Sequence, residues 1–154
     1  MKMKMKRKHA VVINIGLAIL AALWLSHYYR LAVVSGKSME PALSQGDLVV
    51  VRMGVLPKRG DIAVIDSEVL HKRIIKRVVA VGGDMVIVSD GELRINGEIL
   101  EEEYIKEPYE HICDFFLVPP QCVYVLGDNR NFSRDSRMIG FIPIEEVTGV
   151  LIYP

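Results

Sequence analysis

Three short stretches carry side chains that could do chemistry together. The first is VVSGKSMEPALSQGD, residues 33–47. An apolar run enters Ser35-Gly36, then Ser38-Met39, then Pro41. Glycine lets a backbone come close to a ligand, and proline stiffens the exit. Ser38 would sit at the end of a strand on a constrained turn. There a nucleophile can present its hydroxyl and keep its own N–H free for an oxyanion. Taken alone, the same serine reads more readily as an ordinary turn residue. The second stretch is HKRIIKRVVAVGGD, residues 71–84, with Lys76 between Ile74-Ile75 and Val78-Val79. Burying an ammonium in an apolar strand is costly. One relief is loss of the proton, because burial lowers a lysine pKa. A neutral lysine is a competent general base. Lys72 is the rival: it has the same strand parity and would face the same side. It would stand about 13 Å further along, at roughly 3.3 Å per residue, so only one of the two reaches a given serine. The third stretch, LGDNRNFSRDSR at 126–137, crowds Asp, Asn, Arg and Ser into a turn-like loop. Such a loop can fold on its own salt bridges and Asx turns.

These stretches must be held by the elements around them. Runs rich in Val and Ile read as strands: LVVV at 48–51, DIAVID at 61–66, IIKRVVAV at 74–81, MVIV at 85–88 and ELRING at 92–97. VYVLGD at 123–128 and VTGVLIY at 147–153 join them. Asp90-Gly91 and Asn96-Gly97 are hairpin-turn signals. Pro57, Pro119 and Pro120 mark loops. A short helix is expected near 143–147, with Pro143 in its first turn and Glu145 and Glu146 at its start. Short strands without long amphipathic helices predict a mainly β domain, a compact barrel or sandwich.

Ahead of the strands, Ala10 to Leu25 reads AVVINIGLAILAALWL, without charge and with Asn14 its one strongly polar side chain. With Ser26 it reaches the lower limit for a bilayer-spanning helix, roughly 17 residues. Trp24, Tyr28 and Tyr29 stand where interfacial aromatics do. Lys2, Lys4, Lys6, Arg7 and Lys8 precede it with no acid among them. Positive charge on that side predicts a cytoplasmic N-terminus. The chain thus divides into a basic cytoplasmic tail (1–9), one transmembrane anchor (10–29) and an extracytoplasmic catalytic β domain (30–154). A cleaved secretory signal and a buried core helix compete with the anchor. The apolar run exceeds the signal core of about 7–15 residues, and no small-x-small cleavage site follows it.

The bulk properties set bounds. The chain has 154 residues, enough for one domain with a small appendage. Lys+Arg and Asp+Glu are both 19, so nothing global points to nucleic acid. The hydrophobic fraction of 51% is high for a small soluble domain, and one membrane segment accounts for it. Cys113 and Cys122 have no Cys/His partners at zinc spacing. They could form a disulfide or stay as two buried thiols.

In this order the three stretches resemble the bacterial type I signal peptidases, the serine-lysine family S26. SGKSMEPAL is similar to the family's nucleophile box, GDLVVV and the RGD at 59–61 to its next strand motifs, KRVVAVGGD to its lysine box. GDNRNFSRDSR is similar to its most distinctive stretch, the Gly-Asp-Asn-Arg box. The resemblance prefers Lys76 to Lys72, because the family's lysine precedes the Asp of a Gly-Asp pair by the spacing that separates Lys76 from Asp84. It implies Ser38 as nucleophile and Lys76 as base, with the Ser38 N–H holding the oxyanion near Gly36. By the same matching Ser133 would bond to Lys76 and orient it. Asp128 would pair with Arg77, while Asp135 and Arg137 would brace the loop. Val34, Met39 and Ile75 would line shallow apolar pockets. Gly36 departs from members with a serine completing the oxyanion hole, Phe132 from a usual asparagine, and Ala80 and Gly82 from a usual glycine and proline.

The resemblance implies a membrane-bound, monomeric serine endopeptidase, without metal or cofactor, that removes N-terminal signal peptides from preproteins. Lipid bilayer and preprotein are its expected partners, not nucleic acid. A self-cleaving serine-lysine autoprotease and a non-catalytic, membrane-tethered peptide-binding domain are the alternatives. His71 is the next candidate base; it and His111 otherwise read as surface histidines.

Overall fold

The structure, a computed structural model, describes residues 2–89, 91–108 and 114–152, with side chains within the first helix from residue 13 onward. Asp90, His111 and Cys113, singled out above, lie outside the described residues. The chain opens with helix α1 (Lys2–Tyr28), longer toward the N-terminus than the expected 10–29. Its described side chains are mostly apolar and exposed, among them Leu17, Leu20, Leu23 and Trp24, with Asn14, Ser26 and His27 the polar ones. Those described side chains run only from 13 to 28, and among the described residues no helix is long and apolar enough to cross a membrane.

Most of the remainder is strand. A seven-stranded antiparallel sheet takes the order β1 (Tyr29–Val33), β2 (Leu48–Met53), β11 (Val147–Ile152), β3 (Ile62–Ser67), β4 (Lys72–Val81), β9 (Cys122–Leu126), β10 (Ile142–Pro143). A second sheet runs β7 (Glu98–Ile99), β6 (Glu92–Ile95), β5 (Met85–Ser89), β8 (Asp114–Leu117). Neither sheet closes on itself, so the architecture is mainly β with two open sheets and not a closed barrel. One closing edge is too short to continue: β10 is two residues long and one of them is Pro143, which has no N–H to donate.

β-branched side chains fill the interior, as their fit to pleated surfaces requires. The two sheets meet over Val79, Ala80, Val86, Val88, Leu93 and Tyr124. A second cluster joins β3, β4 and β9 through Ile65, Val78 and Val125. A β-bulge at Val78/Ala80 explains why three successive residues of β4, Val78 to Ala80, are all buried where simple alternation would expose one. A third cluster, Val34, Met39, Leu43 and Ile62, lies under the turn that carries Ser38. Emptying a site like that of Met39, 2% exposed, costs about 2–5 kcal/mol, so packing anchors this turn.

Most expected strands form within a residue or two of their expected ends. Asn96 and Gly97 have φ of 55° and 88°, as a tight hairpin of this type requires. The helix near 143–147 is a single 3-10 turn, Ile144–Glu146. A four-residue helix, α2 (Ser136–Ile139), forms in the third motif.

Candidate active site

Ser38 is presented by the turn that leaves edge strand β1. Gly36 has φ of +88°, a backbone conformation that favours glycine, and Val34 and Gly46 tie the two ends of the turn together by N–H bonds. From the other side Asn129 clamps it: the Asn129 N–H donates to Ser38 O at 3.0 Å and Asn129 Nδ2 to Lys37 O at 3.1 Å. This close approach needs Gly127. A Cβ there would collide with the Ser133 side chain and with Ser38 O.

Lys76 comes from the middle of β4, opposite Ala63 of β3. Its side chain is buried, with the residue 4% exposed, and Nζ lies 2.7 Å from Ser38 Oγ and 2.8 Å from Ile75 O. Burial pushes its pKa down from 10.5 to about 8. The nearby carboxylates Asp135 and Asp128 oppose that shift, and Lys72 adds to it. Lys76 therefore approaches neutral pH without a carboxylate in contact, a condition suited to proton transfer with a hydroxyl. Lys72 is exposed at the start of β4. His71, in the exposed turn before it, does not line the cleft around Ser38.

The third motif folds as a frame behind this pair. Asp128, fully buried, receives Arg77 Nε at 2.8 Å and Nη2 at 2.6 Å, the pairing that the family resemblance implied. Burial pushes the Asp128 carboxyl up, and Arg77 works against it. Asp135 caps α2, accepts the Gly127 N–H at 2.9 Å and holds Arg137 Nε at 2.8 Å; Arg137 Nη2 reaches Arg130 O at 2.7 Å. Ser133 is different from its expected role. Its buried Oγ has no hydrogen-bond partner among the described residues, and the bond to Lys76 is not made. The loop packs Ser133 against Gly127, while Lys76 Nζ turns to Ser38 and to its own strand's carbonyl.

Several framing residues had no expected role. Arg130, 2% exposed, makes a bidentate pair with Glu102 at 2.9 and 2.5 Å. Tyr104 lies under the Arg77 guanidinium, 4.0 Å from ring centroid to the cation. Arg130 belongs to the quoted motif, but Glu102 and Tyr104 lie in an acidic run with no periodic signal. Asp84 ties the end of β4 to two other segments. It accepts from Val81 N, from Arg59 of the RGD and from Asn96 of the hairpin. Burial pushes its carboxyl up, but these donors outweigh it and the pKa is lowered.

Ser38 and Lys76 open into a cleft of about 550 Å³, lined by Val34, Met39 and Ile75 as expected, and also by Phe132 and Arg134. The arrangement can carry out nucleophilic attack on a carbonyl, with a hydroxyl, an adjacent base of lowered pKa and apolar pockets beside them.

Known proteins share this arrangement of sequence. A family model described as "Signal peptidase, peptidase S26" matches residues 6–154. The chain is 34% identical over 150 residues to a probable signal peptidase I-2 of Synechocystis, covering 91% of this chain and 66% of that protein. It is 36% identical over 136 residues to signal peptidase I of Bacillus caldolyticus, covering 76% of this chain and 74% of that one. It is 33% identical to the chloroplastic thylakoidal processing peptidase 1 of Arabidopsis thaliana, covering 88% of this chain but 46% of that protein. The chain thus spans only part of these relatives. A crystal structure of a signal peptidase I from Enterococcus faecalis superposes with a TM-score of 0.57 at 33% identity, covering 62% of this chain and 97% of that one.

Proposed function

The chain belongs to the signal peptidases of family S26, which are serine endopeptidases, and on that premise we propose that it removes signal peptides from preproteins with Ser38 as nucleophile and Lys76 as general base. The observation that carries this reading is the 2.7 Å contact between a buried lysine and a turn serine inside an apolar cleft. Neutral Lys76 takes the Ser38 proton as Oγ bonds to the carbonyl carbon at the signal peptide's end. The tetrahedral oxyanion accepts the Ser38 N–H. Collapse breaks the peptide bond, and Lys76 returns the proton to the leaving amine. Water, deprotonated by Lys76, then releases the acyl-enzyme. Arg77, Asp128, Asp135 and Arg137 do not touch the reacting atoms; they hold the loop that fixes Ser38.

The substrate binds as an extended strand beside residues 33–36 and 73–76. Val34, Met39 and Ile75 leave shallow pockets suited to small side chains. Residues 10–29, all but the last of them in α1, anchor the protein in the bilayer as a monomer, with 1–9 in the cytoplasm and 30–154 outside. The exposed apolar side chains of α1 support the anchor, and the basic tail supports its orientation. Such an anchor would hold the cleft where signal peptides emerge.

The deciding experiment is cleavage of a preprotein panel by the wild type and by Ser38→Ala in membranes. Release of mature proteins by the wild type alone is the expected result. Equal processing by Ser38→Ala would end the assignment of the nucleophile. External protease that digests the β domain in sealed right-side-out vesicles checks the orientation.

A further inference from the structure

We propose that Lys37, Phe132 and Arg134 form a subsite for the first residues of the mature chain, and that this subsite takes an acidic side chain. The inference rests on the signal-peptidase reading above, because it needs the scissile carbonyl at Ser38. The cleft has two ends. One runs along residues 32–36 and 72–75, where the signal peptide's end lies. The other is walled by Phe132 and Arg134 of the loop that follows β9. Lys37 belongs to this second end, because Asn129 of the same loop holds Lys37 O and Ser38 O. A chain that continues past the bond attacked by Ser38 leaves the first arm and must cross these residues.

The charges along this path are of one sign. Among the described residues no Asp or Glu lines the cleft, whereas Lys37, Lys72, Arg73, Lys76 and Arg134 do. Arg73 is occupied by Asp66 at 2.6 Å, and Lys76 faces Ser38. Lys37 and Arg134 are exposed and form no ion pair with any described residue. The acids close by in the fold are engaged: Asp135 with Arg137 and Gly127 N, Glu102 with Arg130, and Glu107 with Asn131 Nδ2. A cleft lined by one sign over low-dielectric walls concentrates its field and favours a ligand of opposite charge. Phe132 is 77% exposed beside these cations. A bound peptide backbone would cover its ring, which water now surrounds.

The test uses full-length protein and three preproteins that differ only in the second residue after the cleavage site: Asp, Asn or Lys. At low salt the wild type should favour Asp over Asn in kcat/KM by roughly two- to fivefold, the range of a solvent-accessible ion pair. Salt at about 0.5 M should erode the preference. Arg134→Gln and Lys37→Gln should each bring the ratio closer to one, and Arg134→Glu should turn it in favour of Lys. Both positions are exposed, and circular dichroism checks that each variant is folded. Unchanged ratios in all three variants, with cleavage intact, would overturn the subsite and leave the dyad standing. The same result accompanied by weaker binding of the variants to phosphatidylglycerol vesicles would assign the cations to lipid instead, and the proposal would fall. Wild type that cuts none of the three would sink the signal-peptidase reading, and the subsite with it.

Discussion

Lys76 and Arg77 are neighbours on β4 and point to opposite faces. Both are cations set among apolar strands, yet they end in different chemistry. Arg77 meets a fully buried carboxylate through two hydrogen bonds and lies on an aromatic ring. Deeper in the frame Arg130 meets Glu102 in the same bidentate way. Lys76 meets a hydroxyl and a carbonyl, neither of which carries charge. A buried guanidinium with a carboxylate stays charged and cross-links the loop. A buried ammonium without one is pushed toward losing its proton. The difference separates a frame from a base, and residue type reinforces it, because arginine does not deprotonate in proteins.

Exchanging the two types is the sharpest way to break the contrast. Lys76→Arg should lose cleavage as completely as Ser38→Ala, on the order of 10⁴-fold or more in kcat/KM, since a permanent cation cannot accept the serine proton. Single-turnover cleavage of a labelled preprotein measures it. Substantial activity in Lys76→Arg would remove lysine from the role of base.

On the frame side, Glu102→Gln leaves Arg130 without its counter-charge, the guanidinium side chain being fully buried. Breaking a buried pair from one side costs about 3–5 kcal/mol. Urea unfolding should show a loss of that size; a loss below about 1 kcal/mol would mean that the pair does not hold the loop.

Lys76→Met should do the opposite of Glu102→Gln and stabilise the protein while abolishing activity. The native pKa of about 8 lies below the ordinary value of 10.5, so the unfolded chain binds more protons between them. Charge at Lys76 therefore disfavours the fold increasingly as pH falls from about 10.5 to 8, and fully below 8. The gain from methionine should be roughly 3 kcal/mol at pH 7, at about 1.4 kcal/mol per unit, and should vanish above pH 10.5. Parallel unfolding curves at pH 7 and pH 10.5 measure it, and an equal gain at both would point to packing instead of charge.

The smallest effect is on the pH–rate profile. Cleavage should rise toward alkaline pH with a midpoint near 8, where Lys76 becomes neutral. Lys72 adds positive charge that helps hold that midpoint down. Lys72→Gln should keep its activity and move the midpoint upward. A downward shift would contradict the direction of that electrostatic contribution.

Much of the β fold was readable because its cues are local. Alternating Val and Ile runs, Asn96-Gly97 and the prolines act through the φ, ψ and pleat of adjacent residues. What escaped depended on distant partners. β1 (Tyr29–Val33) was not among the expected strands, and Tyr29 was counted with the anchor, because only pairing with β2 makes those residues a strand. Glu102 and Tyr104 had no expected role, since the arginines that employ them stand on other segments. A barrel was one of two expected forms, and closure is a property of sheet edges that no single strand reveals.

The sequence by itself determined the inventory: Ser38 in a glycine- and proline-bounded turn, two lysines of one parity, and a loop dense in Asp and Arg. Tertiary structure decided which lysine is buried and what it touches. Lys72 and Lys76 share a strand and a side, but Lys76 alone lies beneath the turn that β1 and the Asn129 loop bring over β4. It also left Ser133 without the bond that its position in the motif had implied. The physical reason is common to both. Side-chain identity and local backbone preference are written residue by residue, whereas desolvation and hydrogen-bond partners exist only once distant segments have packed.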